Sequence, residues 1–238
     1  MAARRVSGAD TVGAAKRRAS PSRRTSKSVA APATDNAPAR QPLRPLARAD
    51  FPVDTAAFAR YLLGKLVVRE FAADCAIGRI VETEAYLVGD PAGHAFRGLT
   101  PRNRSLFLEP GHAYVYLAYG TSWMLNVSSG PAGVGAGVLV RALEPLEGIP
   151  LMQAARGTMN NRDLARGPGR LAGALRIGPE LDGIDLCVPG PLWLAEDGTP
   201  PNEIGASTRI GLTRAADRVL RFYQRGSPYV SGPKRLNL

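Results

Sequence analysis

Histidine and cysteine are scarce in this chain: two of each, His94 and His112, Cys75 and Cys187, in 238 residues. None of the four shares ligand-like spacing with another. A structural zinc site needs four thiolate or imidazole ligands in close pairs, and a disulfide framework needs more cysteines in a shorter chain. Both are disfavoured, which leaves a cytosolic protein with reduced thiols and no metal. No run approaches the ~20 apolar residues of a membrane-spanning helix. The N-terminus lacks the apolar core of a secretory signal. There is no phosphate-cradling P-loop and no internal repeat.

Acidic residues are the other shortage. The chain has 31 Lys/Arg against 20 Asp/Glu, a net charge of +11. Most of the excess is local: residues 1–50 hold 11 Lys/Arg and 3 Asp, whereas residues 51–238 hold 20 Lys/Arg and 17 Asp/Glu. Residues 1–48 are built from Ala, Arg, Ser, Thr and Pro, with basic clusters at Lys16-Arg17-Arg18 and Arg23-Arg24. Such a stretch buries too little apolar surface to offset its ordering entropy, so it is expected to be a disordered basic tail before one globular domain over residues 49–238. Its charge suits a nucleic-acid tether, a nuclear signal or an organellar transit peptide, and a solvated tail without a role stays equally open.

From Phe51 the pattern becomes globular. Residues 54–64 read as a capped amphipathic helix ended by Gly64. Residues 66–69 and 79–87 read as strands. Residues 113–118 and 123–128 form a hairpin around Tyr119-Gly120, and residues 137–142 are a buried strand. After Glu144-Pro145 the pattern turns helical over residues 146–155, 162–166 and 168–175, with Pro168 suited to a first turn. Short strands follow at residues 192–194, 208–210 and 220–223. Strands and helices mix without a regular βαβ beat, so the expected class is α+β: a single mixed domain with a curved, mostly antiparallel sheet, a protruding β-hairpin and surrounding helices.

Four segments carry candidate chemistry. In Arg79-Ile80-Val81-Glu82-Thr83-Glu84-Ala85-Tyr86-Leu87, alternation puts Val81, Thr83, Ala85 and Leu87 on one face and Glu82, Glu84 and Tyr86 on the other. Two like charges on one strand face repel each other, so a cleft explains them better than open solvent, though an ordinary solvated face is the competing reading. Tyr114, Tyr116 and Tyr119 are three of the chain's seven tyrosines. Tyr119 falls at the hairpin tip, free to act as a wedge between base steps, unless all three simply pack. Thr100-Pro101-Arg102-Asn103-Arg104 resembles a helix start with Thr100 as cap, where Arg102 and Arg104 would meet phosphate; a charged exposed turn is the alternative. Arg141, beside the apolar run Val138-Leu139-Val140, needs a carboxylate or phosphate partner. His94 sits in a loop after the glutamate strand.

In this order, these segments resemble the alkylpurine (3-methyladenine) DNA glycosylases of the mammalian alkyladenine-glycosylase type. The resemblance rests on Leu62-Leu63-Gly64-Lys65, on Gly78 with the glutamate strand through Tyr86, on Thr100-Pro101-Arg102-Asn103, on Tyr114-Val115-Tyr116 with Tyr119-Gly120, and on Asn126-Val127. It continues through Arg141-Ala142-Leu143-Glu144-Pro145-Leu146-Glu147-Gly148, Gly167-Pro168, Arg221-Phe222-Tyr223 and Gly226-Ser227-Pro228. It implies a monofunctional enzyme of base excision repair, without metal or organic cofactor. Such an enzyme flips alkylated or deaminated purines from double-stranded DNA and hydrolyses the N-glycosidic bond. By the same resemblance Glu84 matches the general base, Arg141 its partner, Tyr86, His94, Tyr116 and Asn126 the base pocket, and Tyr119 the side chain that intercalates into DNA. One departure stands out: after Tyr119-Gly120 the family usually has bulkier residues than Thr121-Ser122. A monomer is expected, in the cytoplasm and at the nucleoid if bacterial, in a nucleus or organelle if the tail is an address.

Two other classes fit some of the same residues. A glycoside hydrolase could use Glu82 and Glu84, since alternate strand residues lie about 6.6–7 Å apart, near the inverting range. Two neighbours on one strand face cannot flank a sugar from opposite sides, however. A non-enzymatic module could bind damaged duplex through Tyr119 and the tail, leaving the bond intact.

Overall fold

The glutamate segment extends in both directions into a twelve-residue strand around which the sheet is built. The computed structural model describes residues 43–237; what was expected of the tail up to residue 42 lies outside them. In chain order the strands are β1 (Arg44–Pro45), β2 (Leu66–Glu70), β3 (Cys75–Tyr86), β4 (Ala113–Ala118), β5 (Ser122–Ser128), β6 (Gly137–Glu147), β7 (Leu192–Glu196), β8 (Ile204–Ser207) and β9 (Arg221–Gln224). The helices are α1 (Thr55–Tyr61), α2 (Ile149–Arg156) and α3 (Pro168–Ala174). The strands pair antiparallel in the order β1-β7-β2-β3-β6-β5-β4, with β9 against β3 and β8 against β9. The described residues thus form the expected α+β domain with a curled antiparallel sheet.

β3 has two edges and three partners. On one edge β2 pairs with Cys75 to Arg79 and β9 with Glu82 to Glu84, so the two share that edge end to end. The other edge runs along β6, with register shifts on both sides of Glu82. An irregularity of this kind bends a strand and increases its twist. It also corrects the simple alternation. Ile80 and Ala85 join the main core and the Thr83 hydroxyl donates to Ala59 O of α1 at 2.8 Å, whereas Val81 packs in a separate cluster with Ala142, Tyr223 and Val230.

Local signals account for most element ends. Asp54 caps α1 by accepting from Ala57 N at 2.7 Å. Pro168 opens α3 directly after Gly167, where its missing N–H is no loss. Elsewhere the structure departs from the sequence reading. β6 runs on through Pro145 to Glu147, because Pro145 faces Gly78 at a register shift where the ladder is already broken, and α2 therefore starts only at Ile149. The turn between them needs glycine: Gly148 has φ 67°, and a Cβ there would lie 2.3 Å from Cys75 O. Residues 162–166 contribute only to a 3₁₀ turn, Asn161–Asp163. Residues 208–210 are not a strand, because Arg209 turns inward to meet Asp90 instead of continuing the ladder of β8.

The main core lies between the sheet and the helices, with Phe58, Leu62, Ile80, Leu143, Met152 and Leu171 each fully buried. It also includes Leu46, 2% exposed, next to β1, whose Arg44 and Pro45 pair with Glu196 and Ala195 of β7. Residues 43–48 therefore belong to the folded domain rather than to the tail, because Leu46 enters the main core and Leu43 packs against the cluster of Leu66, Val68 and Trp193. No described helix is long and apolar enough to cross a membrane. Leu46→Ala is expected to lower unfolding free energy by about 2–4 kcal/mol, as a core truncation does. A change within about 0.5 kcal/mol in urea denaturation would return this segment to the tail.

Candidate active site

Glu82 and Glu84 leave β3 on the same face, and both are fully buried. Glu82 is held on every side. Its Oε1 accepts from Arg141 Nε at 3.0 Å, Arg221 Nε at 2.7 Å and Ser231 Oγ at 3.0 Å, and its Oε2 accepts from Ser231 N at 2.6 Å. Burial alone would raise its pKa, but the two guanidinium groups and these hydrogen bonds outweigh it and hold the carboxyl below the ordinary glutamate range. Arg221 is itself anchored by Ser207 Oγ, Leu236 O, Ser231 O and Asn237 Oδ1.

Glu84 has a different balance. Its Oε1 accepts from Ile210 N at 2.8 Å, and its Oε2 accepts from the Tyr86 hydroxyl at 3.0 Å and lies 3.2 Å from Arg141 Nη1. Here burial dominates and the pKa is raised, with Arg141 opposing and Glu82 adding to the rise. Two carboxylates two residues apart are thus driven in opposite directions, a pattern that separates a permanent anion from a proton-exchanging group. A single arginine, Arg141, bridges them, in the middle of β6 rather than near a strand end. A sugar cannot fit between carboxylates that share one guanidinium, which removes the acid–base pair of the glycoside hydrolase reading.

Tyr86 turns the same strand face toward a slot of about 200 Å³, lined among others by His94, Tyr114, Tyr116, Tyr119 and Asn126. The aromatic side of this slot is a packed unit. Tyr114 and Tyr116 stack with centroids 5.3 Å apart, the His94 ring meets Tyr116 edge-on at 4.3 Å, and His94 Nδ1 lies 2.8 Å from the Tyr114 hydroxyl. His94 is exposed overall, but partial desolvation of its ring and then the charge of Arg102 lower its pKa, so the imidazole is neutral at neutral pH. Burial, then Glu84, pushes the Tyr116 hydroxyl up to about 12. Burial, then Glu84, raises Tyr86 as well, so both phenols stay protonated. Asn126 is buried on β5 and donates to Tyr114 O at 3.2 Å. The structure therefore brings together five of the expected site residues, Tyr86, His94, Tyr116, Tyr119 and Asn126. Glu84 and Arg141 stand behind Tyr86 and do not line the slot.

The tip of the β4–β5 hairpin is strained. Tyr119 has φ 52° and Gly120 φ 69°, and Thr121 N donates to Ala118 O at 3.0 Å, which closes a turn of the primed kind that strand twist favours. A tyrosine in the left-handed region costs about 1–2 kcal/mol, and this one is 92% exposed. The small Ser122 behind it has a packing reason: a Cβ added at Gly169 of α3 would lie 2.9 Å from Ser122 Cβ, so helix and strand meet too closely for a large residue.

The segment from Thr100 is not a helix start. Asn103 Oδ1 accepts from Thr100 N at 2.7 Å and from Thr100 Oγ1 at 2.9 Å, while its Nδ2 donates to His94 O and Gly98 O. The helical turn begins only at Arg104 and lasts four residues. Arg102 donates to Leu117 O at 3.0 Å and joins Arg97 and Arg214 around a cleft of about 440 Å³ beside the slot. Arg104 is exposed and lies outside that lining. Among the described residues no group of three His, Cys, Asp or Glu side chains is placed to hold a metal ion.

A family model for methylpurine-DNA glycosylases matches residues 49–228. The chain belongs to that family. With membership comes the coarse assignment: a DNA glycosylase, a hydrolase of N-glycosyl bonds with DNA as substrate. Among similar proteins, one from Mesorhizobium japonicum is 68% identical over 192 residues, covering 81% of this chain and 92% of its own. One from Paraburkholderia phytofirmans is 52% identical over 197 residues, 82% of this chain and 92% of its own. One from Methanoculleus marisnigri is 51% identical over 182 residues, 75% of this chain and 94% of its own. All three bear the provisional name 3-methyladenine DNA glycosylase.

Several groups in this glycosylase site were not singled out from the sequence for these contacts: Ile210, whose backbone amide holds Glu84; Arg209 and Asp90, a buried pair beside Tyr86; and Ser231, which closes the cage around Glu82. A backbone amide leaves no trace in residue type. Arg209 lies within Thr208–Ile210, a stretch that reads as a short strand, and nothing in its neighbours marks it for burial. The opposite charge balances predict opposite costs. Glu82→Gln is expected to destabilise by about 3–5 kcal/mol at pH 7, since it leaves two buried cations undercompensated, and Glu84→Gln by less than about 1 kcal/mol. The Glu82 contribution is present above the unfolded carboxylate range and lost as pH falls through its depressed native value. Urea curves of wild type and Glu82→Gln should therefore converge in acid; equal cost for both variants at pH 7 would contradict the division of roles.

Proposed function

We propose that this glycosylase flips an alkylated or deaminated purine from duplex DNA into the tyrosine slot and hydrolyses its N-glycosidic bond, with Glu84 as general base, and does not cleave the strand. The observation that carries this reading is the convergence of Tyr86, His94, Tyr116, Asn126 and Tyr119, from three strands, one loop and a hairpin tip, on one cavity. The wall of that cavity is a single hydrogen bond from a carboxylate whose pKa is raised.

Stacking on Tyr86 and Tyr116 supplies on the order of 1–3 kcal/mol per base against an unstacking cost of a few kcal/mol, which is least for damaged pairs. Asn126 and neutral His94 read the base edge. Tyr119 fills the space the base leaves, and Arg102 and Arg104 meet backbone phosphates. A carboxylate offers about four lone-pair positions. Ile210 N takes one on Oε1 of Glu84 and the Tyr86 hydroxyl one on Oε2, beside which Arg141 Nη1 sits in ion-pair contact, and this leaves an acceptor position on Oε1 for a water. That water's oxygen bonds to C1′ as the C1′–N bond breaks, the bonding pair departs with the purine, and the water proton passes to Glu84. An anionic Glu84 also stabilises positive charge on the sugar. A cationic alkylated purine leaves as a neutral base without prior protonation.

Single-turnover excision from duplexes carrying 3-methyladenine, 7-methylguanine, ethenoadenine or hypoxanthine tests the assignment. Glu84→Gln should reduce the rate about 10²–10⁴-fold while lesion binding is retained. The wild-type rate should fall as pH drops through the raised Glu84 pKa, with that acid limb missing from the variant's residual rate. Equal rates in the two proteins would remove Glu84 from the mechanism. At the hairpin, Tyr119→Asn relieves left-handed strain and should gain up to about 1 kcal/mol of stability while excision drops. Unchanged excision would leave Tyr119 with no part in flipping.

A further inference from the structure

Behind Tyr86, on the side away from solvent, lies a buried ion pair that the hydrolytic chemistry does not use. Arg209 and Asp90 both have fully buried side chains. Arg209 Nη1 donates to Asp90 Oδ2 and, at 3.0 Å, to Ala85 O; Nη2 donates to Asp90 Oδ1 at 3.1 Å and to Ala215 O at 3.4 Å. The guanidinium carbon sits 4.6 Å from the centroid of the Tyr86 ring. Asp90 Oδ1 also accepts from Ala92 N at 3.0 Å, at the start of the turn that leads to His94.

One side chain thus ties together three walls of the slot. Through Ala85 O and the ring it fixes Tyr86. Through Asp90 it fixes the loop carrying Ala92 and His94. Through Ala215, held at a φ of 45°, it fixes the loop carrying Leu212. The charge has a second consequence. An aromatic face attracts cations through its quadrupole, and one face of Tyr86 is already covered by a cation. A cationic purine on the other face gains correspondingly less, while a neutral purine stacks as before.

We propose that Arg209, paired with Asp90, is a positioning residue that presets the Tyr86 wall and cancels the advantage a cationic base would otherwise gain there, so that the slot takes neutral and cationic purines alike. This rests on the reading of the slot as the base pocket. It goes further in assigning the charge selectivity of that pocket to a residue that lines none of it.

The test compares duplexes carrying 7-methylguanine, a cationic nucleotide, and hypoxanthine, a neutral one, by the ratio of their single-turnover efficiencies. Asp90→Asn bares the guanidinium and should shift the ratio toward hypoxanthine by about three- to tenfold. The double change Arg209→Met with Asp90→Asn removes both charges and should shift it toward 7-methylguanine by about the same factor. In both, the ratio is the readout: loosening the slot walls lowers the efficiency on both duplexes together, whereas the change of charge separates them. A merely structural pair would move both variants in one direction or leave the ratio alone, and either result overturns the proposal. If a variant does not fold, the wild-type protein still decides. Calorimetric binding of a free 7,9-dimethylguaninium cation and of neutral 9-methylhypoxanthine should agree within about threefold, and a cation bound tenfold or more tightly would refute the cancelling role. A wild type that binds both bases but excises neither lesion would count against hydrolysis alone, not against the charge selectivity.

Discussion

The carboxylate of Glu82 is the constraint on which the site depends. Removing a charge from water costs several kcal/mol unless geometry and hydrogen bonds compensate it. Glu82 is compensated from β6, β9 and the segment after Pro228 at once, through Arg141, Arg221 and Ser231. That cage ties the C-terminal segment to the centre of the sheet. It also decides the state of Glu84. Arg141 is shared between the two glutamates, and because Glu82 takes its Nε and has Arg221 besides, Glu84 is left with less compensation than its burial demands. The raised pKa of the second carboxyl is thus a consequence of how well the first is held.

A second feature follows from the bend of β3. The register shifts around Glu82 turn Val81 out of the main core, and four residues after Glu82 the strand delivers Tyr86 to the slot with its hydroxyl still bonded to Glu84. The slot is preorganised rather than pliable. Tyr114 lies beneath Tyr116, His94 abuts it edge-on, and Arg209 backs Tyr86 from within. The one strained aromatic, Tyr119, is the one without packing to hold it. Strain of that kind at a solvent-facing tip suits a side chain whose partner is not part of the protein.

Much of this was legible in the residues, for reasons that differ by segment. The cap at Asp54, the opening of α3 at Pro168 and the turn at Tyr119-Gly120 rest on local backbone chemistry and were read correctly. The C-terminal end of β6 and the fate of residues 208–210 were not. Pro145 looks like a strand terminator unless its neighbour across the ladder is known to be at a register shift. Arg209 looks like a strand residue unless Asp90, 119 positions earlier, is known to face it. Leu46 was grouped with the tail because two leucines, Leu43 and Leu46, in a Pro- and Arg-rich stretch establish no periodicity.

What the sequence by itself determined was the inventory and its grouping: an acidic pair with a tyrosine on one strand face, tyrosines on a hairpin, an arginine in an apolar run, and the ordered motifs of a DNA glycosylase family. These are set by alternation along a strand and by residue type, both local properties. Only the tertiary structure decided which glutamate is caged by two guanidinium groups and which shares one of them under heavier desolvation, that Thr100 and Asn103 fasten a loop instead of opening a helix, and that Arg209 stands behind Tyr86. Burial, shared counter-ions and backbone amides such as that of Ile210 come from chain segments far apart in sequence, and no local pattern records which of them will meet.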